Sequence, residues 1–471
     1  MRSRTIASLA AALVLAGCTL SGPNYERPPI DLPGSYPGAA AHSAVAVRAD
    51  WWTLYGDPTL NELVAATLER NVDLRLAVAR IEEADANLRE ANATFLPQVD
   101  VTAAPGRSRA STRTAVPVFS GVPVYRNDMR LALSTSFELD FWGKLRRAAE
   151  AVRAQTLGTR YARDVIALSL AGLTTQAYFS LRSLDAQSFV ARETFALREE
   201  ALALVRLRAQ GGVASDLDLN QAEGARADAS AQLKDLERQR ALVEHQLGTL
   251  AGRLDLTLAP GDLRRLPTPP LPPAGLPSAL LERRPDIRQA EQALISANAQ
   301  IGVARAAMLP TISLTSFYGQ QSAALSNLLT SGANIWSLGF GLSLPIFDAG
   351  RYQARTDAAI ARQHQALAGY QKAIETAFRE VADALTGLHQ LSLAEDDFEA
   401  RVRAARNARR LAQERYQAGY SAYLEVLDAQ RSANDAEQAV LRNRQSLLSA
   451  TVDVMKALGG GWSDEQVSLQ P

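Results

Sequence analysis

Apolar residues along this chain follow two rhythms. Between Asp128 and Leu139, Met129, Leu131, Leu133, Phe137 and Leu139 alternate with Asp128, Arg130, Ala132, Ser134, Ser136 and Glu138. Later, Trp336, Leu338, Phe340, Leu342 and Leu344 alternate with Ser337, Gly339, Gly341 and Ser343. A period of two puts one set on each face of a strand. The segments after Pro97 and Pro310 repeat it more weakly, with Val99 and Val101 in the first and Ile312 and Leu314 in the second. Four strands are predicted, at about 97–109, 126–139, 310–322 and 333–345. A strand of about ten residues with one apolar and one polar face is what a transmembrane β-barrel needs, and a soluble hairpin packed on helices would show the same alternation. In the membrane reading, Trp336, Leu338, Phe340 and Leu342 face lipid. Four strands cannot close a barrel, because in lipid every strand edge must be paired and the smallest barrels have about eight strands. Several chains must then contribute, and the strand pattern does not say how many.

The second rhythm is helical. No proline occurs from Val124 to Ala259 or from Ile346 to Gln470, and such stretches favour unusually long helices. Leu367, Tyr370, Ile374, Ala377, Val381, Ala384, Leu388 and Leu391 are spaced three and four apart, as are Val426, Ala429, Ala433, Ala436, Val440, Asn443, Leu447, Ala450, Val454 and Ala457. Leu219, Ala222, Ala229, Leu233, Leu236, Val243, Leu247 and Leu250 keep the same frame earlier in the chain. This is a coiled-coil seam whose alanines permit close helix approach. At ~1.5 Å per residue, a helix from about Gly143 to Ala209 would run roughly 100 Å, longer than any compact domain of this size.

Both rhythms come twice. "VDLRLAVARIEEADANLREANATFLPQVDV" at 72–101 aligns with "PDIRQAEQALISANAQIGVARAAMLPTISL" at 285–314, with Leu96-Pro97 falling on Leu309-Pro310. Gly143-Lys144 matches Gly350-Arg351, and "RAQGGVASDLDLNQAE" at 208–223 matches "RYQAGYSAYLEVLDAQ" at 415–430. The chain is thus a duplication of roughly 200 residues, a period too long for a solenoid unit.

The N-terminus reads as an address. Arg2 and Arg4 precede an apolar run from Ile6 to Ala16, too short to span a bilayer but right for a secretory signal. It ends in "LAGC", and Cys18 is the only cysteine, so it cannot form an internal disulfide; the stretch resembles a bacterial lipoprotein lipobox. An ordinary signal peptide with an incidental cysteine is the competing reading. Thr19 follows where an Asp usually accompanies inner-membrane retention, so the lipobox resemblance implies outer-membrane sorting. Acyl chains on Cys18 would tether the chain to a membrane. The expected divisions are a signal peptide at 1–17, a lipidated Pro- and Gly-rich linker at 18–50, a first repeat at 51–255, a Pro-rich link at 256–283, a second repeat at 284–462 and a tail at 463–471. Trp51 and Trp52 open the folded part as aromatic anchors for a nearby helix.

Composition removes other classes. Aromatics are 6% of residues, which suits long alanine-rich helices, and Lys plus Arg equals Asp plus Glu at 50 each, so no basic surface speaks for nucleic acid. His42, His245, His364 and His389 have no metal-ligand spacing, and no phosphate-cradling glycine loop is present. Neither an enzyme, a cofactor nor a bound metal is expected.

Together these residues resemble a known family: the outer-membrane factors of tripartite efflux systems and type I secretion, TolC-like proteins, and within them the OprM-type or NodT-type lipoproteins. The resemblance runs from Cys18 to about Trp462, carried by the lipobox, the duplicated helix-Leu-Pro-strand unit, "FWGK" and "FDAGR" after the second strand of each copy, and "YQAGYSAYLEVLDAQ". It implies an α plus membrane β-barrel fold, in which each chain of a homotrimer gives four strands to a twelve-stranded outer-membrane barrel and its helical hairpins to a long periplasmic tunnel. It implies an exit duct that takes drugs or toxic compounds from an inner-membrane RND-type pump and a periplasmic adaptor (membrane fusion protein). The alternatives are a periplasmic coiled-coil lipoprotein adaptor and a purely structural lipoprotein.

By the same resemblance, the position of Leu424 forms an apolar plug and that of Asp428 an acidic ring at the tunnel's periplasmic end. Glu425 lies beside them, Asp218 matches Glu425 in the first copy, and Tyr416 matches a tyrosine that helps hold the helices closed. Leu424 and Asp428 are one turn apart on one helix face, although an acid there could equally cap or solvate an exposed face. Ser421 stands where one branch of the family has arginine, which leaves a latch through that position in doubt. Repeated three times around an axis, such acids would resist anions, admit cations and bind divalent ions.

Overall fold

The computed structural model describes residues 20–36, 47–114, 119, 121–270 and 280–463. Cys18, the signal peptide and most of the C-terminal tail lie outside the described residues. The principal elements are α1 (Pro58–Arg70), α2 (Val72–Ala93), β1 (Gln98–Arg109), β2 (Tyr125–Leu139), α3 (Lys144–Gln210), α4 (Asp216–Leu250), α5 (Pro285–Ala306), β3 (Thr311–Ser322), β4 (Asn334–Ser343), α6 (Arg351–Gln417) and α7 (Tyr423–Ala457). The duplication shows in the long helices: α2 and α5 have 22 residues each, α3 and α6 have 67, and α4 and α7 have 35. With ~1.5 Å rise per residue, the two longest helices each extend about 100 Å. The Leu-Pro pairs follow α2 and α5 by a short turn, because a proline needs an extended residue before it.

The chain divides into two compact units. The first takes in Ile81–Gly158, Ala290–Tyr370 and the N-terminal residues up to Pro29. Its four strands form one antiparallel sheet in the order β1-β2-β3-β4. Register aligns the two faces across all four strands: Val101 stands opposite Leu133, Leu133 opposite Tyr318 and Tyr318 opposite Trp336. Residues directly opposite point to the same side, so most apolar members of the four strands share one face, while Phe317 and Ile335 lie on the other. The N-terminal stretch is held by its backbone. Ser21 N–H donates to the Trp142 carbonyl at 3.0 Å, and Arg147 donates to the Ser21 carbonyl at 3.2 Å and to Asn24 Oδ1 at 2.6 Å. Further on, Arg27 and Tyr25 both donate to the buried carboxylate of Glu291, at 2.7 and 3.0 Å.

The second unit comprises Ile30–Arg80, Thr159–Gln289 and Gln371–Pro471. Its core gathers Trp51, Tyr55, Leu60, Leu63, Tyr178, Phe179, Leu247, Leu263, Leu448 and Val452. Trp51 does pack in this core, while α1 starts on Asp57, whose side chain accepts from the Thr59 and Leu60 amides ahead of Pro58. Ile374, Ala377, Val381 and Leu388 are buried along α6, and Val426, Ala433, Ala436, Leu447, Ala450 and Val454 along α7, as a seam of threes and fours requires. A buried ionic cluster pins the link between the repeats. Asp185 pairs with Arg182 at 3.0 Å and Arg240 at 2.7 Å and accepts from the Gly261 amide at 2.9 Å. With so many donors on one carboxylate, the charge is satisfied although almost no solvent reaches it.

Candidate functional site

Two regions hold the residues singled out in the sequence: the helix tips of the second unit and the sheet of the first. At the tips, α3 and α6 end in the same turn. Gly212 and Gly419 take positive φ of 73° and 79°, a conformation that favours glycine, and the amides of Val213 and Tyr420 return to the carbonyls of Arg208 and Arg415 at 2.8 and 2.9 Å. The two turns then enter α4 and α7 differently. Ser215 and Asp218 form a capping box, each side chain satisfying the other residue's backbone N–H. At the equivalent start of α7, Ala422 supplies no cap, and Glu425 instead pairs with Arg415 at 3.2 Å. Matching acids of the two copies therefore have different work.

Leu424 is 59% exposed between the buried Tyr423 and Val426. Tyr423, Val426, Val205 and Ala222 form a small core with Leu202, Leu219, Tyr416 and Leu427 against it. Tyr416 meets Tyr423 with ring centres 5.4 Å apart, and the Arg208 guanidinium lies 5.3 Å from the Tyr416 ring. Arg198, buried in the last third of α3, donates to Gln430. Burial pulls the Arg198 guanidinium below its ordinary value and pushes the Tyr423 phenol above its own, because both charged forms lose water there. Leu424 and Asp428 line one groove of about 560 Å³, whose other walls include Arg198, Asp228, Arg431 and Asp435. Asp428 pairs with Arg431 at 2.7 Å. The structure thus brings Leu424 and Asp428 together, seats Tyr416 in the tip core, and gives Glu425, Asp428 and Asp218 partners within their own chain.

Sequence reasoning missed four of these groups: Tyr423, Arg198, Arg415 and Arg431. Arg431 was legible, three residues from Asp428 on the same helix face. Arg198 was not, since nothing local marks a guanidinium that reaches a helix more than two hundred residues away. Ser421, the departure noted above, has its hydroxyl buried without a hydrogen-bond partner.

On the sheet, Trp336, Leu338, Phe340 and Leu342 are 74, 67, 65 and 64% exposed. Their opposite neighbours on β3 are Tyr318, Ser316, Leu314 and Ile312. The other face carries Gly339 and Gly341 over Thr315 and Ser313, so closely that an added Cβ would lie 3.0 and 2.8 Å from those hydroxyls. Among the described residues, no helix is long and apolar enough to cross a membrane.

The sequence profile of the outer membrane efflux protein family matches residues 63–253 and 276–460. Outer membrane protein OprJ of Pseudomonas aeruginosa is 36% identical over 470 residues, covering 98% of this chain and 97% of the relative. The toluene efflux pump outer membrane protein TtgF of Pseudomonas putida is 34% identical, with 98% of each covered. Among solved structures, the CmeC outer membrane channel of Campylobacter jejuni aligns with a TM-score of 0.86 at 26% identity, over 94% of this chain and 96% of that one. The open state of the MtrE outer membrane channel of Neisseria gonorrhoeae gives 0.84 at 32% identity, over 94% and 98%.

Proposed function

The chain belongs to the outer membrane efflux protein family and is the outer-membrane exit duct of a tripartite efflux system, and on that premise we propose how its two ends work. Its four strands are one chain's share of a trimeric, twelve-stranded barrel, and its helices one chain's share of the helical barrel beneath it. The duct conducts without catalysis. At the helix tips, Leu424 is the apolar plug and Asp428 and Glu425 the acids of the gate, with Asp218 bracing the first-copy turn and Tyr416 holding the second-copy hairpin. The observation that carries this reading is the exposure of Leu424 beside Asp428 in one groove wall, while Tyr423 and Val426 on either side are buried. A large apolar residue left outside the core is available to a constriction around the trimer axis.

The occupants of the two ends follow from the same surface. Val213 and Tyr420, 81% and 79% exposed at the two turns, offer apolar tips for a periplasmic adaptor (membrane fusion protein) that delivers cargo from an inner-membrane RND-type pump. The cargo class is small toxic or drug-like compounds; relatives are named for toluene, solvent and antibiotic efflux. At the other end, Trp336, Leu338, Phe340 and Leu342 face the bilayer. Cys18 carries the lipid anchor, a placement favoured by the hydrogen bond from Ser21 to Trp142, which pins the chain at the junction of sheet and helix. Cys18 precedes Ser21 by three residues, a span of at most about 10 Å. The divisions at 51–255 and 284–462 are taken as the two repeats.

The gate is tested by single-channel recording in planar bilayers. Leu424→Ala with Asp428→Ala should raise the closed-state conductance several-fold, and an unchanged conductance removes the gate from this tip.

A further inference from the structure

The charges of the sheet gather at one corner. Between Gly106 and Arg130, in the β1–β2 hairpin, the charged residues are Arg107, Arg109, Arg113, Arg126, Asp128 and Arg130, whereas Gln320 to Asn334 of the β3–β4 hairpin carries none. Both hairpin loops lie at the end of the sheet away from the helices, because α3 follows β2 and α6 follows β4. Register sorts the arginines between faces. Arg107 and Arg109 stand opposite Asn127 and Tyr125, in step with Pro105 opposite Met129 and Val101 opposite Leu133, so they continue the apolar face. Arg126, Asp128 and Arg130 alternate onto the polar face. There the charges have company: Arg130 lies 4.3 Å from the Phe317 ring centre, and Asp128 accepts from Gln321 at 2.7 Å. On the apolar face Arg107 and Arg109 flank the Tyr125 ring at 5.6 and 5.7 Å, and no strand places a carboxylate on that face.

A tyrosine between two guanidiniums, at the upper edge of a band of Met129, Leu131 and Leu133, sits at headgroup depth. The ring suits the membrane interface, and each guanidinium can grip phosphate oxygens in pairs. With no acid nearby, nothing within the sheet competes for that charge. We propose that Arg107, Arg109 and Tyr125 form a site on the outer rim of the barrel for the phosphate groups of outer-leaflet lipid, one site per chain. The site rests on the assignment of the apolar face to lipid. It fastens one hairpin of each chain to the headgroup layer and leaves the uncharged β3–β4 hairpin unattached.

The test uses the assembled trimer in detergent micelles, with a bisphosphorylated glucosamine lipid as probe and bound lipid per trimer read by native mass spectrometry. Arg107→Gln with Arg109→Gln should lower retention about fivefold or more, and the same lipid stripped of its phosphates should bind the unaltered protein as poorly. The polar-face variant Arg126→Gln should retain lipid within about twofold of the unaltered protein. Equal retention by the double variant, equal binding of the dephosphorylated lipid, or displacement by inorganic phosphate alone would overturn the site; the last would mark it as a small-anion site. Loss in Arg126→Gln with none in the double variant would instead reverse the facing of the sheet, which separates failure of this site from failure of the membrane assignment. Should the double variant not assemble, the single variants decide on the same criterion, each expected to lose about twofold or more.

Discussion

Asp428 and Arg431 illustrate how little of a single residue's role its identity settles. An exposed pair on one helix turn is worth about 0–1 kcal/mol, so removing either side should leave assembly unchanged. Conduction is another matter, because the arginine offsets the acid within the same groove. Asp428→Asn should weaken cation selectivity and Arg431→Gln should strengthen it, read as opposite shifts of reversal potential in a salt gradient. No shift in either variant would place Asp428 away from the conduction path. The same reasoning separates Glu425, paired with Arg415 across the α6–α7 turn, from Asp218, which spends its carboxylate on the α4 cap.

At the scale of elements, the strands and the helix starts each make a prediction. In β4 the side chains alternate, so Leu338→Arg should put a guanidinium into lipid at about 2–4 kcal/mol near the midplane and lower trimer yield. Gly339→Arg points to the other face, where it meets Thr315 and should reduce conductance more than assembly. Trimer bands on heat-modified gels and conductance measured side by side decide this; equal loss of trimer in both would reverse or dissolve the assignment. At the helix starts, Ser215→Ala removes one half of a capping box and should cost about 1 kcal/mol locally, seen as roughly fivefold faster amide exchange in the first turn of α4. Ala422→Ser offers α7 the cap it lacks and should slow exchange there. If neither end changes its exchange rate, the caps do not limit fraying of the tips.

For the whole molecule, the proposed anchoring is shared between lipid and barrel. Cys18→Ala should abolish acyl labelling while much of the protein still fractionates with the outer membrane, because the apolar faces of the strands hold it independently. Normal labelling of that variant would show that Cys18 is not the modified residue. Duplication also leaves its mark at this scale. Each chain brings two tips that share a glycine turn but differ in cap, acid and partner, so a trimer of such chains has threefold rather than sixfold symmetry at its periplasmic end.

What the sequence determined by itself was everything with a short period. Alternation along β2 and β4 marked strands and their faces, the long runs without proline marked helices of 67 residues, and Gly212 and Gly419 marked the turns, because each of these depends on neighbours a few residues apart. That Leu424 and Asp428 share a helix face was legible for the same reason, one turn apart, whereas their proposed roles as plug and acid come from the family resemblance. The tertiary structure alone decided which charges are spent internally. Arg198 reaches Gln430, Arg240 reaches Asp185, and Tyr25 with Arg27 closes on Glu291, pairs drawn from distant parts of the chain whose local sequence carries no trace of the meeting. It also decided that Arg107 and Arg109 stand beside Tyr125, since only strand register, fixed by burying neither face wrongly across four strands, brings those side chains to one edge.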